Sequence, residues 1–296
     1  MVTVRKKRVR GRSYYYIEHS VRNGRRVEKK EKYLGKDLPE NIEQLKREFL
    51  RSIYQEKWFD RFDAVKAAYS AHRRKLPPSA RQKETEAFMV RFTCNTNRIE
   101  GSKLTLRETA LLLEKGITPS ARPLEDVKEA EAHRVTFFKM LDYKKDLSLD
   151  AVLYFHRLLF EDTKKDIAGR LRQHQVEISG SRFKPPLGVE VYPLLTDFFK
   201  EYRKNKKRRH PVELAALVHL KLVTIHPFAD GNGRVSRLIM NFVLNMQGFP
   251  MLDILYEKRS GYYNALERSQ VKEDDSFFLQ WFFGRYIKEH RQYLEE

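Results

Sequence analysis

The chain has 296 residues, and 59 Lys and Arg against 40 Asp and Glu give it a formal charge of +19. At 41% hydrophobic and 12% aromatic residues it can bury a sizeable core, which excludes wholesale disorder. A single cysteine, Cys94, excludes an internal disulfide framework, and no segment approaches the roughly 20 apolar residues of a membrane span. In chain order, residues 1–16 lack the apolar stretch of a secretory signal, so a cytoplasmic location with no membrane partner is expected. Residues 1–36 carry 13 Lys and Arg against Glu18, Glu28 and Glu31 alone, about half of the whole positive excess. Their apolar residues fall in three runs, Val2 to Val9, Tyr14 to Ile17 and Val27 to Leu34, with Asn23-Gly24 as a type I′ turn between the last two. This predicts a small three-stranded antiparallel sheet that needs packing on something else.

From Pro39 the period becomes helical. Ile42, Leu45, Phe49, Ile53, Trp58, Phe62 and Val65 predict one long helix as far as Pro77-Pro78. Phe88, Met89, Phe92 and Ile99 continue the helical stripe to a stop at Gly101, which suits the C′ position, and Thr105 with Glu108 reads as a capping box for the next helix. Nearly everything beyond is helical, except for Gln175–Pro186, where QVEISGSRF is β-like.

The chemistry concentrates in Val218–Gln247. An apolar helix ends near His226, then comes HPFADGNGR, and a second helix starts near Gly233 with Val235, Leu238, Ile239, Phe242, Val243 and Met246 on its buried face. Gly231 and Gly233 let backbone approach a ligand where free N–H groups of a helix start favour an anion. Arg234 and Arg237, three apart, are expected on one side of the first turn as a polyphosphate cradle. Asp230 supplies one carboxylate of the kind that holds Mg²⁺ together with phosphate oxygens. His226 is the group nearby that can take a proton at neutral pH. His219, seven residues earlier, lacks a third ligand and is expected in the core.

The string His226-Pro-Phe-Ala-Asp230-Gly-Asn232-Gly233-Arg234-Val-Ser-Arg237 resembles the Fic motif HxFx(D/E)GNGRxxR at every specified position. The resemblance covers roughly residues 85–285. It implies a mainly α Fic fold with a small β-hairpin flap, joined here to a small N-terminal antiparallel β-sheet. It also implies transfer of AMP from ATP to a protein Ser, Thr or Tyr hydroxyl, on a target or on itself. In that family pattern His226 deprotonates the hydroxyl and Asp230 holds Mg²⁺. Gly231, Asn232, Gly233 and Arg234 line the phosphate site, and Arg237 reaches the γ-phosphate. Gly169-Arg-Leu-Arg172 with Gln175–Pro186 looks like the flap, which holds the target segment by strand pairing and brings Ile178 to the nucleotide. Tyr263 matches the aromatic that packs by adenine, while Gln270 stands where the family often has Asn. Thr96-Asn-Arg-Ile-Glu100-Gly101 is similar to the family's inhibitory (S/T)xxxE(G/N) motif, which implies that Glu100 pairs with Arg237 and restrains the reaction.

The expected division is a basic three-stranded β segment over 1–36, a linking helix over 37–78, and a Fic domain over 79–296 with its inhibitory helix at about 85–101. Other readings stand beside it: removal of AMP, use of another nucleotide, or a nucleic-acid-binding protein with a quiescent Fic core. Residues 1–36, basic and rich in tyrosine, could contact phosphates and stack on bases, or could serve only as a packing or dimerisation appendage. Many relatives dimerise, so a homodimer is a further expectation. Taken alone, Tyr263 could equally be core filler and Ile178 an ordinary strand residue.

Overall fold

The computed structural model describes residues 2–23 and 26–295. They divide into two compact units, Met1–Ala64 and Val65–Glu296.

The first unit is an antiparallel sheet in the order β1 (Thr3–Val9), β2 (Arg12–Asn23), β3 (Arg26–Gly35), followed by α1 (Ile42–Tyr54). The expected Asn23-Gly24 turn lies outside the described residues. Val4 pairs with Ile17 and Tyr16 with Tyr33, with a register shift between Tyr15 and Tyr16. Alternation puts Ile17 and Val21 on one face of β2. They are buried against Phe49 and Ile53 of α1, and Leu45 and Ile42 extend the contact. Full burial of such side chains contributes roughly 1.5–3 kcal/mol each, so α1 supplies the packing that three short strands lack. On the other face Tyr14, Tyr16 and Tyr33 cluster, with ring centroids 5.3–6.1 Å apart. Glu18, 3% exposed, is held there by Arg5 at 2.9 Å and Lys29 at 2.8 Å.

The expected long helix is present as one unbroken helical run, α1 continuing into α2 (Asp60–Lys75) through a π-helical turn at Gln55–Phe59. The wider turn resets the apolar stripe: Ile53 and Phe59, six apart, are both buried, as are Phe62 and Val65. Pro78 then opens α3 (Pro78–Ile99), where its missing N–H is harmless.

In the second unit, α3 ends in a Schellman motif. Ser102 N–H bonds Asn97 O, Gly101 N–H bonds Arg98 O, and Gly101 takes φ +109°. The capping box of Thr105 and Glu108 starts α4 (Leu106–Lys115). Then follow α5 (Leu124–Asp142), α6 (Leu149–Phe160), α7 (Val191–Asn205), α8 (Pro211–Ile225), α9 (Asn232–Met246), α10 (Arg259–Lys272) and α11 (Ser276–Glu289). Helices α8 and α9 are buried nearly all round and pack on each other. Around them, α3, α5 and α6 contact α9, while α7 and α11 contact α8. The six residues between α8 and α9 are therefore fixed from both sides by the densest part of the core.

One element departs from expectation. Gln175–Pro186 forms no strands; it is an extended loop with a turn in which Ser181 N–H bonds Ile178 O. Its β-like composition has no neighbouring strand to pair with, and Gln175 Nε2 braces it instead by bonding Val176 O and Pro185 O.

Candidate functional site

His226 closes α8 in the left-handed region (φ 52°, ψ 60°), an uncommon conformation for a residue with a Cβ. Its Nδ1 lies 3.2 Å from Val223 O. A carbonyl only accepts, so Nδ1 carries the proton and Nε2 keeps its lone pair. Burial holds the imidazole below its ordinary pKa, with Arg172 adding to the effect, so the neutral form prevails. The following turn is clamped by Asn232, whose Oδ1 accepts from Phe228 N at 2.9 Å and whose Nδ2 donates to Phe228 O at 2.8 Å. Both ends of the Asn232 side chain are thus occupied by backbone. Gly231 (φ 79°) precedes α9, and a Cβ there would overlap the Phe160 ring. At Gly233 a Cβ would overlap the Glu100 carboxylate.

The two arginines expected to point together are drawn to different carboxylates. Arg234 Nη1 bonds Glu129 Oε2 at 2.5 Å, and Nη2 lies 3.3 Å from Asp230 Oδ2. Its guanidinium sits 4.6 Å from the Phe160 ring centre. Arg237, 1% exposed, bonds Glu100 Oε1 at 2.5 Å through Nη2, and Thr96 Oγ1 at 2.7 Å through Nε. Burial works against its charge, but Glu100 outweighs burial and keeps Arg237 protonated. Tyr262 stands 3.5 Å from Arg237 Nη1 and 3.0 Å from His219 Nε2. Burial pushes the Tyr262 phenol up to about 12 and His219 down to about 3, so Arg237 and Glu100 are the charged members of this group.

Asp230 has acquired partners that no sequence spacing announces. Lys164 Nζ lies 2.6 Å from its Oδ2, 3.0 Å from Glu125 Oε1 and 3.4 Å from Glu129 Oε1. Burial would raise the Asp230 carboxyl, but Arg234 and Lys164 hold it below the usual range. Its backbone carbonyl is 3.1 Å from His156 Nε2, while His156 Nδ1 accepts from Gly169 N–H at 2.9 Å. Among the described residues, no cluster of three or more His, Cys, Asp or Glu is arranged to hold a metal. Asp230, 40% exposed, still fits a hard cation that takes most of its ligands from phosphate and water.

A cavity of about 340 Å³ brings together Glu100, Ile178, His226, Gly233, Arg237, Tyr262, Tyr263, Glu267 and Gln270. Gly231, Asn232, Arg234 and Asp230 adjoin its lining rather than belong to it. Tyr263 is half-exposed, and its hydroxyl bonds Ile99 O at 3.0 Å, one residue from Glu100. Gln270 Nε2 donates to Thr224 Oγ1 at 3.2 Å. The loop tip bearing Ile178 is pinned across the cavity by Glu267: Oε1 accepts from Arg182 Nε at 2.8 Å, and Oε2 from Arg182 N and Ser181 Oγ at 3.3 Å. The feet of the loop are tied by Arg172, which donates to His174 O at 2.9 Å, Pro186 O at 2.7 Å and His226 O at 2.7 Å. Glu267, Lys164, Glu129 and His156 are site residues that sequence reasoning left unassigned, while Arg172 was expected only as part of the flap and Tyr262 only as the neighbour of Tyr263. Apart from the Arg172 bond to His174 O, they act through partners distant along the chain, which no local spacing signals.

Residues 146–244 match the profile described as Fic/DOC family. The chain is 30% identical over 264 residues to protein adenylyltransferase Fic of Drosophila ananassae, covering 85% of this chain and 52% of that protein. It is also 30% identical over 207 residues to protein adenylyltransferase fic-1 of Caenorhabditis elegans, covering 68% and 39%. The chain thus spans about half or less of the length of these relatives. Among solved structures, a Fic-domain-containing signaling protein from Bacteroides thetaiotaomicron superposes with a TM-score of 0.70 at 28% identity, covering 78% of this chain and 95% of that one. Fic-1 from C. elegans has the same fold at a TM-score of 0.70 and 24% identity, covering 86% and 76%.

Proposed function

The chain is a Fic-domain protein, and on that premise we propose that it transfers AMP from Mg·ATP to a Ser, Thr or Tyr hydroxyl of a protein, itself included, under restraint by Glu100. The observation that carries this reading is the shared cavity, which His226, Gly233 and Arg237 line together with Ile178. Its volume falls at the lower end of the range for small-molecule sites.

In the proposed step the acceptor oxygen forms its bond to the α-phosphorus while His226 Nε2 takes the hydroxyl proton. The bond from that phosphorus to the bridging oxygen breaks, and pyrophosphate leaves with the electron pair. The first turn of α9 offers N–H groups of Asn232, Gly233 and Arg234 that have no intrahelical acceptor, and these suit phosphate oxygens. Asn232 contributes through its backbone alone, since its side chain is committed to the turn. Asp230 would hold Mg²⁺, which when bound offsets phosphate charge. Tyr263 and Ile178 would flank the base. With Arg237 tied to Glu100 and Thr96, its guanidinium is withheld from the γ-phosphate, which is the proposed restraint. A cytoplasmic location accords with the free thiol of Cys94 and with ATP as co-substrate.

Incubation with Mg²⁺ and α-labelled ATP tests the reading. Label should enter protein with Glu100→Gly and vanish when His226→Ala is added. Equal labelling of wild type and Glu100→Gly would remove the restraint, and no labelling by either would remove the transferase. The carboxylate of Glu100, partly exposed at the cavity wall, can also orient a water, and removal of AMP is the second reading of the same pocket. Release of AMP from pre-labelled protein by wild type but not by Glu100→Gly would favour it.

Two proposals concern partners. Nucleic-acid contact through residues 1–36 is supported by the tyrosine cluster flanked by Arg5, Lys7 and Lys29, although Glu18 and Glu31 offset part of that charge. Retention on duplex DNA should fall steeply with salt and weaken with Arg5→Glu and Lys29→Glu. A homodimer is supported by exposed Leu106, Leu111, Ile117 and Leu124 on α4, α5 and the segment between them, and sedimentation with Leu124→Asp tests it.

A further inference from the structure

Lys164 projects from the segment between α6 and the flap into a group of acids that includes Asp230. Every lone-pair direction of the Asp230 carboxylate already has company. Oδ2 faces Lys164 at 2.6 Å, Oδ1 accepts from Gly231 N at 2.5 Å, and Arg234 Nη2 approaches both oxygens at 3.3–3.4 Å. A divalent cation of Mg²⁺ size needs about 2.0–2.1 Å to a carboxylate oxygen and tolerates no ammonium on the same lone pair. One cation has to leave. Arg234 cannot readily do so, being 4% exposed, locked to Glu129 and seated on Phe160. Lys164 can: its side chain is 32% exposed and its charge rides on a flexible four-carbon stem.

Resting on the nucleotide-site reading above, we propose that Lys164 is an internal counter-ion occupying the divalent-cation position at Asp230, and that Mg²⁺ arriving with nucleotide displaces it. The displacement has somewhere to go. Lys164 is a node of its segment, with its N–H on Phe160 O at 2.8 Å and its carbonyl accepting from Ala168 N at 3.1 Å. Gly169 follows directly and is joined to the Asp230 carbonyl through His156. Asp230 thereby touches the root of the flap twice, by carboxylate through Lys164 and by carbonyl through His156. Metal arrival releases the first link and keeps the second.

The test is the Mg²⁺ dependence of nucleotide binding, read without turnover. Binding of a non-hydrolysable ATP analogue to the full chain is followed by calorimetry across a Mg²⁺ titration in wild type, Lys164→Met and Lys164→Arg. Lys164→Met should reach half-maximal binding at about fivefold lower Mg²⁺, the scale of one modest ion pair, while Lys164→Arg stays near wild type. An unchanged or higher Mg²⁺ requirement in Lys164→Met overturns the proposal, as does weaker nucleotide binding at every Mg²⁺ concentration, which would make Lys164 a phosphate ligand. A wild type that binds no nucleotide at any Mg²⁺ concentration overturns the nucleotide reading itself and this proposal with it. Should Lys164→Met misfold, amine acylation of wild type read by mass spectrometry serves instead. Lys164 should become more reactive with Mg²⁺ plus analogue than with analogue plus EDTA, and equal reactivity overturns the proposal.

Discussion

Glu100 and Gly233 exclude one another's bulk: the carboxylate that pairs with Arg237 occupies the space where any side chain at 233 would begin. The pair and the glycine are one design, because the first turn of α9 must be bare for the end of α3 to reach Arg237. Glu100→Gly should therefore act on stability as well as on labelling. It leaves Arg237 with Thr96 and Tyr262 but without a counter-charge. Because Glu100 is about a third exposed, water replaces part of what is lost, and a fall of about 1–3 kcal/mol in urea unfolding is expected.

Gly231→Ala probes the turn itself. It meets both a left-handed backbone and the Phe160 ring, two penalties with no flexible neighbour to absorb them. A loss of about 2–4 kcal/mol is expected, visible as a lower urea midpoint at unchanged slope. Labelling activity of the Glu100→Gly background should fall as well, since His226 is carried by the same turn.

Glu267→Ala should loosen the flap tip without unfolding the helices. Three hydrogen bonds are lost, all near solvent, so each is worth little, and nucleotide dissociation should quicken by about 3- to 10-fold in stopped flow. Because bonds to Arg182 hold the Glu267 carboxyl below its ordinary range, the same loosening should appear in wild type only at strongly acid pH.

Acid should destabilise the protein from about pH 6.5 downward. His226 is lowered by burial, His156 lies at about 4, and His133 and His290 at about 3, also through burial. Below the ordinary histidine pKa the unfolded chain takes up protons that the folded chain refuses, so unfolding is favoured as pH falls toward 4. Buried Asp253, raised to about 7, runs the other way and offsets part of the effect. Urea midpoints between pH 4 and 8 measure the balance, and a midpoint flat across that window would contradict it. The acid limb of the labelling rate should likewise lie below pH 6.5.

What was readable in the sequence is what is local. The string from His226 to Arg237 names its own turn and helix start, and Gly101 with Thr105 and Glu108 marks a helix end and a helix beginning within eight residues. What was not readable depends on partners far along the chain. Lys164 and Asp230 are 66 apart, Arg234 and Glu129 105 apart, and Ser181 and Glu267 86 apart, and no period or spacing connects them. For that reason Arg234 and Arg237 were expected to act together, whereas each is turned by a different acid. Gln175–Pro186 illustrates the same limit for backbone: residues that suit a strand make none when no edge lies beside them.

Arg172 grips both feet of the flap and the carbonyl of His226 with one planar group. On the proposed chemistry, seating an acceptor segment and aiming the proton acceptor become a single mechanical event, because neither can shift without straining the guanidinium between them. A segment that docks one residue out of step would tug the imidazole from its line of attack, so fidelity toward acceptors would be enforced by leverage rather than by a pocket shaped to each side chain.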